Sequence, residues 1–171
     1  MLILALSAVS FGQSSESSAP ALGRLNGARQ SSGAERVESS AALDGLAARY
    51  LDDLLTRRSL IPAGYGAVGQ RTLSDEVAGA IGADGYNYRY VGVAVAYGQS
   101  LNHAMDIALG TVANGPALFE PALTMVGLAS AAIPAGAPWF APPPGGFGRE
   151  IEMTGMTLVV IVTAGPYRAS P

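Results

Sequence analysis

A chain of 171 residues is long enough for one domain with a buried core, and 49% of its residues are hydrophobic whereas 13% are charged. The formal net charge is -3 and all ten basic residues are scattered arginines, which argues against nucleic acid as a partner because phosphate binding needs clustered cations. The absence of cysteine excludes disulfides, thiolate zinc sites and cysteine nucleophiles.

The N-terminus begins with an apolar run, residues 2–9, that passes into a serine-rich stretch. This run is far too short to span a bilayer, so no transmembrane segment is predicted. It resembles the apolar part of a signal peptide without the usual basic leader, and Ser10 and Gly12 are small residues suited to a cleavage zone. We predict a signal peptide at 1–12, a linker at 13–19, one domain at 20–171, and a secreted or periplasmic location. The alternative is a disordered apolar tail.

Two helices are predicted next along the chain. The first follows Pro20, which favours a first helical turn, and is closed by Gly33. The second reads AALDGLAARYLDDLLTRR and is capped by Ser39 or Ser40. Its leucines fall at helical spacing and predict one buried face, with the charged residues mostly on the opposite face.

A third helix and a strand are predicted in the middle of the chain. The helix LSDEVAGAI opens at Thr72 or Ser74, which places Asp75 and Glu76 in its first turn, at the positive end of the helix dipole. The segment YNYRYVGVAVAYG then alternates and becomes small and apolar. This pattern predicts a strand that ends at the last glycine.

The second half predicts a helix, two strands and a long connection. The helix at 100–113 carries Val112 among its inward residues, and the strands lie at 124–133 and 156–165. A Pro/Gly-rich connection between the strands holds Trp139, Phe140 and Phe147, and we predict that it forms an ordered lid or flap. The order of elements predicts an α+β domain in which helices cover a small antiparallel sheet.

No residue pattern in the chain predicts catalysis, a cofactor or a metal. The one histidine, His103, lies near a helix start without a G-x-S-x-G partner motif, and is interpreted as a surface or half-buried residue. Asp52 and Asp53 are interpreted as a solvated helix face, and Glu150 and Glu152 as edge-strand charges that maintain solubility. The glycine-rich stretches GYGAVGQ and PPPGGFG lack the Gly-Lys-Ser/Thr ending of a phosphate loop.

Five segments, in the right order, resemble the CAP superfamily of cysteine-rich secretory, antigen 5 and pathogenesis-related proteins, in its short cysteine-free bacterial form. They span about residues 21–167 and are similar to the family patterns as follows: ALGRLNGARQSSG to LLxLxNxxRxxxG, LDGLAARYLDDLLTRRSL to LAxxAxxHAxDMAxRxxF, GQRTLSDEVAGAIGADGYNYRYVG to GxTLxDRxxxxGYxYxxxG, EPALTMVGLASA to NPxFTxVGxGxA, and TLVVIVTAGP to the closing strand. The resemblance implies an α-β-α sandwich with a central cleft.

Members of this family usually hold two histidines and two acidic residues around that cleft, able to bind a divalent metal. Where the family strand reads GENxAYG, this chain has Val93 for the glutamate and Ala94 for the asparagine. Pro62 and Asn114 replace the two cleft histidines, and Tyr50 replaces a further histidine of the second helix. Because valine and proline offer no lone pair and asparagine is a weak neutral ligand, the resemblance implies a cleft without a metal site.

The functional expectation is a secreted, non-enzymatic CAP-like binding domain without a catalytic residue or cofactor. Its expected cleft is apolar and lined by Tyr50, Pro62, Tyr90, Val93 and Asn114. The partner is an envelope or extracellular protein or a small apolar or lipid ligand, and some family members bind sterols or fatty acids. Two alternatives stay open: a divergent secreted hydrolase with His103 as its base, and an interaction module that uses the aromatic flap.

Overall fold

The computed structural model describes residues 18–60, 67–81, 88–136, 138–141 and 149–166. Its helices and strands follow one another as α1 (Ser18–Ser31), β1 (Glu38–Ser39), α2 (Ala41–Arg57), α3 (Ala67–Ile81), β2 (Tyr88–Gly98), α4 (Leu101–Gly110), α5 (Gly115–Phe119), β3 (Met125–Ala132), β4 (Trp139–Ala141), β5 (Arg149–Ile151) and β6 (Thr157–Pro166). A 3-10 turn, Val112–Asn114, joins α4 to α5. The predicted signal peptide lies outside the described residues, and α1 already includes the last two residues of the predicted linker.

Four strands form one sheet in the order β1–β3–β6–β2. β6 is antiparallel to β2 and to β3, whereas β1 is parallel to β3. The predicted α+β class is therefore confirmed in this coarse form, but the prediction of a purely antiparallel sheet is wrong. The sequence could not indicate the parallel step, because a two-residue strand carries no periodic pattern.

Helices cover both faces of this sheet. α2 and α3 pack on one face, and α1, α4 and α5 pack on the other. The central strand β6 serves both layers, because Leu158, Val160 and Val162 enter the α2/α3 layer while Val159 and Ile161 enter the α1/α4/α5 layer. All five side chains are buried, which explains why β6 reads as a continuous apolar run rather than an alternating one.

Two helix boundaries differ from the prediction. α3 begins at Ala67, before Thr72, so Asp75 and Glu76 lie in its interior rather than in its first turn. Residues such as alanine, glutamine and arginine before the expected cap favour helix, and extending an existing helix is easier than starting one. α4 ends at Gly110 and the chain turns into the 3-10 segment, which leaves Val112 92% exposed instead of inward.

The Pro/Gly-rich connection forms a small antiparallel hairpin of β4 and β5. The hairpin is attached to the chain that follows α2: the Phe140 N–H donates to the Arg58 carbonyl, and the Leu60 N–H donates to the Phe140 carbonyl. Phe147 lies outside the described residues. The connection is thus ordered at both of its strands, and its role as a lid or flap stays a prediction.

Candidate functional site

Two polar residues of α1, Asn26 and Arg29, are buried and form hydrogen bonds that connect α1 to neighbouring segments of the chain. Asn26 bridges to Val37 in both directions: its Nδ2 donates to the Val37 carbonyl at 3.0 Å, and its Oδ1 accepts from the Val37 N–H at 2.8 Å. The side chain thereby acts like one more strand partner for the chain that leads into β1. Asn26 is 8% exposed, so both bonds are shielded from water and are costly to break.

Arg29, one helical turn further, is fully buried and donates only to backbone carbonyls in the described structure. Its Nε lies 2.7 Å from the Glu35 carbonyl, and its two Nη atoms reach the carbonyls of Leu118, Glu120 and Leu123. The five donors of a planar guanidinium suit such a set of carbonyls. Arg29 therefore ties α1 to the segment that leaves α5 and enters β3.

Glycines mark the points at which helices come closest to the sheet. A Cβ on Gly98, at the end of β2, would lie 2.6 Å from the backbone nitrogen of Ala104 in α4. A Cβ on Gly127, in β3, would lie 2.0 Å from the carbonyl carbon of Leu43 in α2. No side chain fits at either position, so glycine is required for close approach and not for an unusual backbone angle.

Val93 lies at the position where the family pattern has its glutamate. Side chains of β2 alternate between the faces of the sheet, so Val93 enters the α2/α3 layer and Ala94 enters the opposite one. Val93 is 6% exposed and Ala94 is 1% exposed. Val93 is thus an apolar core residue.

A polar cluster joins α2 to α3 beside this layer. The Tyr50 hydroxyl donates to Oε2 of Glu76, and the Arg49 guanidinium donates to the same oxygen at 3.1 Å. Burial, and then the hydrogen bond to and the charge of Glu76, raise the pKa of Tyr50 above its ordinary value. The phenol therefore stays protonated, and acts as a hydrogen-bond donor and not as a base. Sequence reasoning missed this pair, because 26 residues separate its members.

The structure does not bring the expected cleft residues together. Val93 is buried in the α2/α3 layer and Tyr50 packs against it, whereas Tyr90 packs against the α1/α4/α5 layer. Asn114 lies in the 3-10 turn after α4, where its side chain donates to the Ala108 carbonyl at 3.0 Å. The sheet separates the two pairs because positions 90 and 93 of one strand point to opposite faces. Pro62 lies outside the described residues.

The remaining polar candidates lie on the surface. His103 is exposed, and its Nδ1 accepts from the Gln99 N–H at 3.3 Å. Asp52 is exposed and Asp53 forms a two-point ion pair with Arg57. Within the described ranges, no group of three or more His, Asp or Glu side chains is placed to hold a metal ion. None of the helices in those ranges is long and apolar enough to cross a membrane.

The α2/α3 layer is bordered by more half-buried apolar side chains than the opposite layer, in the part of the chain that the structure describes. On β2, α2 and α3 these residues, which we call the apolar rim, are Tyr50, Leu55, Ala78, Ile81, Val91, Val95 and Tyr97. Among the described residues, this layer therefore presents half-buried apolar side chains on β2, α2 and α3. An incompletely covered apolar surface is a common feature of ligand and partner sites.

The two aromatic residues of β4 have opposite environments. Trp139 is 3% exposed and belongs to the α2/α3 layer, whereas Phe140 is 49% exposed. The alternation of a strand explains the difference. Trp139 is thus a core residue that holds the hairpin in place, and of this pair Phe140 is the one available to a partner.

Comparison of the chain with protein-family models, with curated proteins and with solved structures gives no match.

Proposed function

We propose that this chain is a CAP-like domain that acts by binding a small apolar ligand at the α2/α3 face of its sheet, without catalysis. The likeness to the family is supported by residues of the matched segments that perform demanding packing roles. Asn26 and Arg29 of the opening pattern form the buried bonds of α1, and Gly98 and Gly127 of the strand patterns permit close helix–strand approaches.

The observation that carries the binding role is the apolar rim around a buried Val93. A glutamate at that position would bring a charge into the layer, whereas the valine is one of its buried apolar members. Half-buried apolar groups such as Val91, Val95 and Ile81 remain accessible beside it. An apolar ligand would remove this surface from water, at about 25 cal/mol for each Å² buried.

Binding of a neutral apolar dye tests this role. Nile red should gain fluorescence on binding the full chain, and Val95→Gln should weaken binding roughly fivefold because a polar amide enters the rim. Ala113→Gln, the same residue type at an exposed site beyond α4, is the matched control and should bind like the unmodified chain. Equal loss in both variants, or no binding at all, would refute the proposed site.

A metal titration tests the loss of the family's ligand set. We expect calorimetry with Zn²⁺ or Ca²⁺ to show no binding in the micromolar range, because position 93 presents a methyl-bearing side chain and Tyr50 is engaged with Glu76. Divalent binding in the micromolar range would contradict the proposal.

Export is proposed from the N-terminal pattern alone. When the chain is expressed in a bacterium, N-terminal sequencing of the periplasmic or secreted fraction should give a start at Gln13, after the small residues Ser10 and Gly12. Retention of residues 1–12 in the cytosolic fraction would contradict export without affecting the binding proposal.

A further inference from the structure

The outer edge of β3 is covered by another strand only at its beginning. β1 pairs with Met125 and Val126, and in the described structure no strand continues this pairing towards Ala132. On its other side, β3 pairs with β6 along its whole length. The second half of β3 therefore forms an edge of the sheet.

The backbone groups that point away from β6 belong to the even-numbered residues of β3. The Val126 carbonyl accepts a hydrogen bond from the chain that follows β1, whereas the Ile133 N–H donates at 2.7 Å to the residue that precedes β6. Neighbouring residues of a strand direct their N–H and C=O groups to opposite sides. Leu128, Ser130 and Ala132 therefore direct theirs to the open edge.

Asp44 closes one end of this edge. Its Oδ1 accepts from the Leu128 N–H at 2.8 Å, so this donor is already bonded. The next four groups along the edge have no hydrogen-bond partner among the described residues: the C=O of Leu128, both groups of Ser130 and the N–H of Ala132. Ser130 is half-buried and Ala132 is exposed, so a second strand can reach them.

The sequence of this edge lacks the features that keep sheet edges apart. Residues 125–133 read MVGLASAAI, without a charge or a proline. Edges that stay unpaired usually carry a lysine, a proline or a bulge, because open backbone groups otherwise pair with another strand. The small side chains of Ser130 and Ala132 also leave the backbone open to close approach. The edge is therefore suited to strand pairing.

We infer that a second copy of the chain pairs with this edge, with the two β3 strands antiparallel about a two-fold axis at Ser130. In this register Ser130 and Ser130 of the partner subunit exchange two hydrogen bonds, and the Leu128 carbonyl accepts from the N–H of Ala132 of the partner subunit. Each of the four open groups then pairs with a member of the same set on the other copy. Such self-complementarity is what a two-fold interface requires, and it favours a second copy over a peptide of another protein. The inference does not depend on ligand binding.

Charges placed at the axis test this interface. Sedimentation velocity of the full chain should show a concentration-dependent dimer. Ser130→Lys and Ser130→Glu should each raise the dissociation constant about tenfold or more, because like charges then face each other. An equal mixture of the two variants should regain the dimer, since opposite charges now meet. Ala113→Lys places the same charge at an exposed site beyond α4 and should change the dissociation constant by less than about twofold.

A single cysteine gives a second test, because the chain has no cysteine of its own. Opposed residues that exchange hydrogen bonds lie about 5.5 Å apart at their Cα atoms, within the range of about 4.4–6.8 Å that a disulfide spans. Ser130→Cys should therefore form a disulfide-linked dimer on mild oxidation. Ala113→Cys, exposed and away from the edge, should form far less of it at the same concentration.

Several results would overturn the inference. An unmodified chain that stays monomeric up to submillimolar concentration would leave the edge to another occupant. A dimer that persists in Ser130→Lys, or that does not return when the two charged variants are mixed, would show that Ser130 does not lie at the axis. Equal crosslinking of Ser130→Cys and Ala113→Cys would show the same. None of these results bears on dye binding, so the proposed function is tested separately.

Discussion

Gly127 is the residue at which helix α2 and the sheet come closest. The backbone of Leu43 lies against it, and one residue on, Asp44 of the same helix accepts the Leu128 N–H at 2.8 Å. Because Gly127 has no side chain, α2 can lie close to β3, and the hydrogen bond from Leu128 to Asp44 holds the helix there. The tilt of α2 across β3 is therefore set by a few atoms and not by the apolar face alone.

Gly127→Ala should destabilise the domain by about 3 kcal/mol or more, because the added methyl group meets backbone that cannot move away without displacing α2. Gly45→Ala, in α2 itself, is the control: nothing lies within 4 Å of its Cβ position, and alanine in a helix interior should raise stability by about 0.5 to 1 kcal/mol. Urea unfolding of both variants measures the two effects, and equal stability of the two would contradict this account.

The burial of Asn26 and Arg29 could not be predicted from the sequence. Polar residues are expected on the surface, and nothing along the chain indicates that Arg29 is 0% exposed. Apart from Glu35, its carbonyl partners lie about 90 residues away at Leu118, Glu120 and Leu123. A bond of this kind follows from the assembled fold and has no local signal.

At the scale of elements, long periodic segments were predictable and short or polar ones were not. α2 and β6 carry strong apolar patterns, and the predicted bounds of both agree with the observed bounds to within one or two residues. β4 and β5 have three residues each, too few to show a period. Two of the expected cleft residues, Tyr90 and Val93, lie on opposite faces of the sheet because side chains alternate along β2, and the cleft itself stays a prediction.

The β4–β5 hairpin should be held by its tryptophan and not by its phenylalanine. The chain has one tryptophan, so its emission reports on Trp139 alone, and we expect a blue-shifted signal that resists quenching by acrylamide. Trp139→Ala should cost about 3 to 5 kcal/mol. Phe140→Ala should cost less than about 0.5 kcal/mol, since the bonds to Arg58 and Leu60 use the backbone of Phe140.

A red-shifted, easily quenched emission in the folded chain would show that the hairpin does not lie on the core. A large loss of stability in Phe140→Ala would show that the exposed ring is covered by residues of the chain itself.

The link between α2 and α3 should weaken in alkaline solution. The pKa of Tyr50 is raised in the folded chain, whereas the unfolded chain has the ordinary tyrosine value of about 10. The tyrosine's contribution is therefore complete below about pH 10 and is lost as the pH rises from there towards the higher folded-state pKa. Tyr50→Phe should lower stability by about 1 kcal/mol at neutral pH, and the difference from the unmodified chain should shrink above about pH 10.

Tyr97→Phe is the control for this experiment, because it removes the same hydroxyl from another half-buried tyrosine. Chemical denaturation at several pH values measures both variants. A difference between Tyr50→Phe and the unmodified chain that stays constant through the alkaline range would contradict the assigned hydrogen bond to Glu76.

At the scale of the whole molecule, the two apolar layers share one strand. Val159 and Val160 are neighbours in β6, are 1% and 0% exposed, and enter opposite layers. If β6 left the sheet, buried apolar side chains of both layers would be exposed. We therefore expect the domain to unfold as one unit.

Val159→Ala and Val160→Ala test this coupling as a matched pair. Each removes the same two carbons from a buried site and should lower the free energy of unfolding by about 2 kcal/mol. Trp139 fluorescence reports on the α2/α3 layer, while far-ultraviolet circular dichroism reports on all helices. Coincident transitions from both probes in both variants are expected of a two-state domain. If Val160→Ala moved the fluorescence transition and left most of the helical signal in place, the layers would unfold separately, and β6 would not be their common support.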